Sequence, residues 1–200
     1  MSPGEQNRLE RRGRVRSAAR DDILAAARRV AEREGARNLS LRSVAAEAGF
    51  APATLYGYFR NKDELMLALA ADDLSRLVHV MRDAARHEGD RLTAAASAAI
   101  DLLANAETLA AASTSIAPQA NGSEMGRLFN GRLIAALTTL AAAAGGAAES
   151  RESQADIVLM AAALAGLAML RRGGRLQALG FSAEEVLARL HQFSQVKQAA

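Results

Sequence analysis

The chain has 200 residues and no cysteine, which excludes disulfides and thiolate metal sites. Half the residues are hydrophobic but only 4% are aromatic, and alanine dominates, which favours closely packed helices over a β architecture. The net charge of +3 is unevenly spread: residues 1–62 carry 13 Lys and Arg against 7 Asp and Glu, and the remainder carries 12 against 15. A basic end on an otherwise acidic chain is the electrostatic footprint of a polyanion partner.

Taken in order, residues 1–16 form a flexible basic arm with Arg8, Arg11, Arg12, Arg14 and Arg16 and few apolar residues. Such an arm can follow phosphates or enter a minor groove, or serve only as a solubilising tail. A first helix over 18–34 buries Ile23, Leu24, Ala27, Val30 and Ala31, and Gly35 stops it.

Ser40 then caps a short helix whose Leu41, Val44, Ala45 and Ala48 recur at helical spacing. Gly49 ends it, Phe50 plugs the turn, and Pro52 suits the first position of a second helix reaching about Tyr58. Leu55 and Phe59 point inward; Thr54, Tyr56 and Tyr58 are left available. Two short helices joined by a glycine turn, with hydroxyls on the second, form a helix-turn-helix over about 40–59. Its second helix can enter a DNA major groove about 12 Å wide. Ala51 leaves that helix without a capping hydroxyl, and Gly57 is read as a mid-helix glycine, so the recognition helix is expected to be soft.

Asn61 caps a long helix with Glu64 three residues on, and Leu65, Leu69, Leu77, Val78 and Met81 run along it toward His87. At about 25 residues it would be about 38 Å long, a rigid lever on which the domain boundary falls near residue 77. Further helices are expected over about 91–104, 107–116, 124–144 and 150–172, broken at Ala117-Pro118, Asn121-Gly122, Gly145-Gly146 and Gly173-Gly174. Ser182 and Glu185 form a capping box that opens a last helix with Val186, Leu187, Leu190 and Phe193. The 150–172 helix is apolar on two sides: Ile157, Met160, Leu164 and Leu167 on one, Leu159, Ala163, Gly166 and Leu170 on the other. More than one partner must cover it, and it could form half of a four-helix dimer interface with the last helix.

The fold class is thus all-α: an N-terminal three-helix helix-turn-helix domain at 17–77 and a larger C-terminal bundle at 78–200, about nine helices in all. No apolar run reaches the ~18 residues of a bilayer span, and the Arg-rich start is unlike a secretory signal, so a soluble cytoplasmic protein without membrane contact is expected. His79, His87 and His191 lack metal-binding spacing, and no nucleophile elbow, P-loop or dinucleotide fingerprint is present. No cofactor, metal or enzyme chemistry is expected.

Ala48-Gly49-Phe50, Thr54-Leu55-Tyr56, Tyr58-Phe59, Asn61-Lys62 and Glu64-Leu65 fall in order without gaps, and over roughly 17–77 the chain resembles the N-terminal domain of the TetR family of bacterial repressors. The resemblance implies a dimer joined through helices about 150–172 and 182–195. It also implies binding to a double-stranded, palindromic operator and release by a small effector held in the C-terminal bundle. Carried over by position, the DNA contacts are Arg42, Pro52, Ala53, Thr54, Tyr56, Tyr58 and Lys62. By chemistry, Thr54 can meet a base, a phosphate or a thymine methyl, Arg42 a phosphate or a guanine, and Tyr56, Tyr58 and Lys62 phosphates. His79, Met81, Met125, Phe129, Leu133, Met160 and Leu164 are the candidate lining of a mainly apolar effector pocket. An activator or an architectural DNA binder of the same fold is the alternative.

Overall fold

The computed structural model describes residues 3–86, 89–109, 111, 122–146 and 150–198, with side chains over 4–86, 89–109, 111, 122–146 and 150–192. Among the described residues every regular element is helical. In chain order these are α1 (Pro3–Glu34), a 3-10 turn (Ala36–Asn38), α2 (Leu41–Ala48), α3 (Pro52–Tyr56), α4 (Lys62–Ala84), α5 (Arg91–Asn105), α6 (Glu124–Ala143), α7 (Arg151–Arg172), the short α8 (Arg175–Ala178) and α9 (Ala183–Gln198). His87, the end of the helix expected from Glu107 and the breaks at 117–121 lie outside the described residues, as does the Phe193 side chain.

The first departure from expectation is the arm, which is not irregular: α1 runs unbroken from Pro3. Proline at the start lacks the N–H a first turn could not use, and Glu5 meets the positive end of the helix dipole. Arg, Glu, Gln and Ala then extend a helix already nucleated by the packed residues 19–31, so the nucleation cost is not incurred again.

Capping decides the boundaries of the helix-turn-helix. The Ser40 hydroxyl accepts from the Ser43 N–H at 3.0 Å and the Ser43 hydroxyl accepts from the Ser40 N–H at 3.2 Å. Gly49 takes a left-handed conformation (φ 71°), and the Phe50 N–H reaches the Ala45 carbonyl at 2.9 Å, closing α2. Asn61 caps α4 by accepting from the Glu64 N–H at 2.8 Å, while the Glu64 carboxylate accepts from the Arg60 N–H at 2.8 Å, one residue before the cap.

Two cores share α4. The first gathers Ile23, Ala27 and Val30 of α1, Leu41 and Val44 of α2, Leu55, Phe59, and Leu65, Met66, Ala68 and Leu69 of α4. The second starts at Leu74 and takes in α5, α6, α7 and Leu187 of α9. The changeover falls between residues 69 and 74, at a carboxylate. Asp73 occupies the register Leu65, Leu69, Asp73, Leu77, the middle of an apolar stripe, and is 4% exposed. The Arg28 guanidinium of α1 bonds Asp73 at 2.7 Å and Asp72 at 2.9 Å, and the Thr108 hydroxyl donates to the other Asp73 oxygen. Burial pushes the Asp73 carboxyl up, against the pull of Thr108 and of Arg28.

One stripe of α7 is buried through Leu164, Leu167 and Ala168, with Ile157 and Met160 packed beside it, while Val158, Leu159 and Met169 stand in solvent. By length and composition α7 could cross a membrane: an 18-residue window has mean hydropathy 1.7. This corrects the expectation that no stretch is long enough. Asp156 interrupts the run but does not lower the average below that of a span.

Substituting Asp73→Ala leaves Arg28 and Thr108 with lost partners in a partly buried site, and should lower unfolding stability by about 1–3 kcal/mol. Asp73→Asn, which keeps an acceptor for either partner, should lose less. Urea denaturation measures both; an unchanged Asp73→Ala midpoint would contradict the assigned role.

Candidate nucleic-acid interface and apolar cavity

The recognition helix α3 is only five residues long. Ala51 caps it without a side-chain bond, as its methyl dictates. Gly57 lies at the C-cap, not in mid-helix as expected, so its glycine cost does not fall on the helix interior. What fixes α3 is packing below it: Leu55 and Phe59 are fully buried, and the N–H groups of Tyr58 and Phe59 both reach the Leu55 carbonyl at 2.9 Å. The turn therefore continues two residues past the regular helix and holds Tyr58 in place.

Pro52, Ala53, Thr54 and Tyr56 lie on one exposed surface, with Tyr56 61% accessible. Arg42 is exposed in the first turn of α2. Tyr58 is placed differently: half-buried against the head core, it lies beneath the Arg16 guanidinium, 5.0 Å from the ring centroid. Lys62, also half-buried, donates to the Arg37 carbonyl. An ammonium has three donors, so two remain for a phosphate.

Contacts between α1 and α2 fix the angle of this surface. Arg29 Nε and Arg33 Nη1 bond the two oxygens of Glu47 at 2.8 and 3.0 Å. The hydrogen bonds from Arg29 and then Arg33 hold the Glu47 carboxyl below its ordinary value. Arg16 Nη2 also bonds the Gly57 carbonyl at 2.9 Å, which ties α1 to the end of α3.

Behind the head lies a cavity of about 1030 Å³. Its walls are apolar side chains of α4 (Leu74, Leu77, Met81), α5 (Ala99, Leu103), α6 (Phe129, Leu133, Ala136, Leu137, Leu140) and α7 (Ala161, Leu164, Ala165). Charged residues at its edge, Arg37, Glu107 and Arg172, are all exposed. Of the expected lining, Met81, Phe129, Leu133 and Leu164 are on the wall. Three residues are not. His79 faces solvent on the outer side of α4. Met125 belongs to the head core, where its sulfur accepts from Arg20 at 3.2 Å. Met160 lines a separate narrow gap with Leu92, Leu187 and Leu190. Helical periodicity identifies apolar faces but not which of two facing partners leaves a void between them.

Sequence reasoning missed Arg28, the turn at Ala36–Asn38 and the hold of Arg16 on Gly57 and Tyr58. The available signal was Asp73, a carboxylate where the four-residue spacing calls for leucine. The turn gave none, because its role comes from standing on the cavity wall while its Arg37 carbonyl receives Lys62. Among the described residues no group of three or more His, Asp or Glu side chains converges on a possible metal position.

An exposed short helix on a packed three-helix head, carried by a lever that also walls an apolar cavity, is a helix-turn-helix head joined to a hollow helical bundle. Residues 23–69 match the model of the bacterial regulatory proteins of the tetR family. That match lies within the three-helix head, and over it the chain is similar to the bacterial regulatory proteins of the tetR family. It is 46% identical over 59 residues to the HTH-type nicotine-responsive transcriptional repressor HdnoR of Paenarthrobacter nicotinovorans, a stretch that is 30% of this chain and 30% of that repressor. The fold is shared with a TetR transcriptional regulator from Rhodococcus sp. RHA1, at TM-score 0.69 and 24% identity over 89% of this chain and 96% of the other. It is shared also with the regulator FadR from Bacillus subtilis, solved with stearoyl-CoA, at TM-score 0.59 and 18% identity over 84% and 94%.

The Glu47 pairing has a definite pH dependence. A carboxyl whose folded value is depressed contributes stability above its unfolded value, and that stability is lost as pH falls through the folded one. Stability measured by denaturation should therefore decline below the ordinary carboxylate range, and Glu47→Gln should flatten part of that decline. An identical acid profile in the variant would contradict the pairing.

Proposed function

We propose that the protein is a cytoplasmic, dimeric transcriptional repressor that leaves a palindromic operator when a small, mainly apolar effector fills its cavity. Residues 17–77 form the DNA-reading head and 78–200 the sensing and dimerising part. The observation that carries this reading is that one helix serves both: α4 starts at Lys62 beside α3 and presents Leu74, Leu77 and Met81 to the cavity.

At the DNA, Thr54 and Ala53 meet base edges and thymine methyls, Arg42 reaches a guanine or phosphate, and Tyr56, Tyr58 and Lys62 hold phosphates. Pro52 sets the start of the helix. In a dimer of this docking mode the two recognition helices stand about 34–36 Å apart, one turn of DNA. The exposed apolar face of α7, with Leu159 69% and Met169 65% accessible, supports dimerisation through α7 and α9. An unpaired face of that kind is otherwise costly in water.

The apolar cavity wall fits an effector with a hydrophobic body, and the charged edge residues fit a polar end. Binding shifts the protein only if the ligand prefers one spacing of the heads over the other. The 3-10 turn offers a route, since Arg37 is on the cavity wall and its carbonyl holds Lys62.

Two outcomes are expected. On an operator recovered by selection from random duplexes, Thr54→Ala and Tyr56→Phe should weaken binding at fixed salt, and Lys62→Ala should reduce the slope of log affinity against log salt by ~0.9 per protomer. Unchanged affinity in all three would sink the assignment. Placing a ring in the cavity with Ala136→Phe should leave operator binding intact and abolish release by any compound that releases the wild type; release at the same concentration would contradict the cavity as the effector site.

A further inference from the structure

We infer that the N-terminal extension of α1 is a second DNA-binding element, a rod of arginines that holds backbone phosphates flanking the site read by α3. This rests on the DNA-binding reading above and adds to it a contact surface outside the helix-turn-helix.

Residues 4–18 are exposed throughout, so this part of α1 lies outside the core, while Arg16 near its end reaches Gly57 and Tyr58. No core contact accounts for about 20 Å of helix. Its composition points to the partner, with Arg8, Arg11, Arg12, Arg14 and Arg16 in nine positions. None of the first four makes an ion pair among the described residues.

Direction comes from the helix itself. At about 100° per residue, Arg8, Arg12 and Arg16 fall in the same angular sector as Ile23, Ala26 and Val30, the side that faces the body. Further along, those three residues are fully buried. Arg16 shows where this sector leads when the core stops: its guanidinium bonds the Gly57 carbonyl at the end of α3 and covers the Tyr58 ring. Arg12 and Arg8 continue the same side, about 6 and 12 Å further along the axis. With α3 in a major groove, those two guanidinium groups project toward the adjoining backbone. Arg14 falls on the opposite side of the helix and serves as a built-in comparison with the same charge.

The partner chemistry is phosphodiester, and planar guanidinium forks suit it. Each phosphate neutralised releases counterions and adds ~0.9 to the salt slope.

The test compares wild type, Arg8→Gln/Arg12→Gln and Arg14→Gln on two selected-operator duplexes, one ending at the site and one extended by a turn on each side. Fluorescence anisotropy gives affinity at several salt concentrations. Glutamine keeps helix propensity, and circular dichroism checks that helix content is unchanged. Wild type and Arg14→Gln should bind the extended duplex several-fold more tightly than the short one. The double variant should lose that gain, with its slope lower by ~1.8 per protomer. Equal affinity and slope for the double variant and wild type on the extended duplex would overturn the inference. An equal loss in Arg14→Gln would overturn it too, since it would show a general charge effect. Absence of sequence-selective binding by wild type itself would instead sink the DNA-binding reading.

Discussion

Asp73 is the point through which the two halves of the molecule hold one another. Its carboxylate sits in the middle of the α4 leucine stripe, where water is excluded. It can stay there because Arg28 approaches from the head and Thr108 from the segment beside the cavity. A buried charge is tolerated only when its lone pairs are met, so the position of each partner is set by the others. The head core ends before this residue and the second core begins after it. A leucine at 73 would join the two cores with no orientation built in. The aspartate joins them through directed bonds instead.

That constraint gives the cavity a physical connection to the head. Thr108 is next to Leu109 and Glu107, both on the cavity edge, and Arg28 is on the helix that Glu47 pins to α2. The Lys62–Arg37 bond is a second link from cavity wall to recognition surface. A ligand that moves the 106–109 segment or the 3-10 turn acts on bonds that set how α1 and α4 meet, and so on the aim of α3. Coupling of this kind needs no flexible hinge, only two arrangements of packed helices with different affinity for the ligand.

Much of the head was legible in the sequence because local chemistry decides it. Ser40, Gly49, Pro52 and Asn61 each have a preferred backbone role, and each fills it. The exposed surface of Thr54 and Tyr56 followed from placing Leu55 and Phe59 inward. The arm was misread because low hydrophobicity argues against a core but not against extending a helix seeded elsewhere. Gly57 was misread because a helix end set by tertiary packing leaves no mark at the residue itself. The cavity lining was half legible. Met81, Phe129, Leu133 and Leu164 were on the right faces, whereas Met125 and Met160 face other partners and His79 faces water. Voids depend on how helices far apart in sequence come together, and one chain's periodicity does not contain that information.

The absence of native cysteine allows the central claim, that cavity and DNA-reading heads are coupled in a dimer, to be tested by a single spin label. Ala46→Cys places it on exposed α2, outside the residues assigned to DNA contact. Pulsed electron resonance should give one narrow inter-label distance on operator DNA, matching heads about 34–36 Å apart, and a displaced or broadened distribution when a cavity ligand is added. A monomer with no dipolar signal, or a distribution that neither DNA nor ligand changes, would contradict the account.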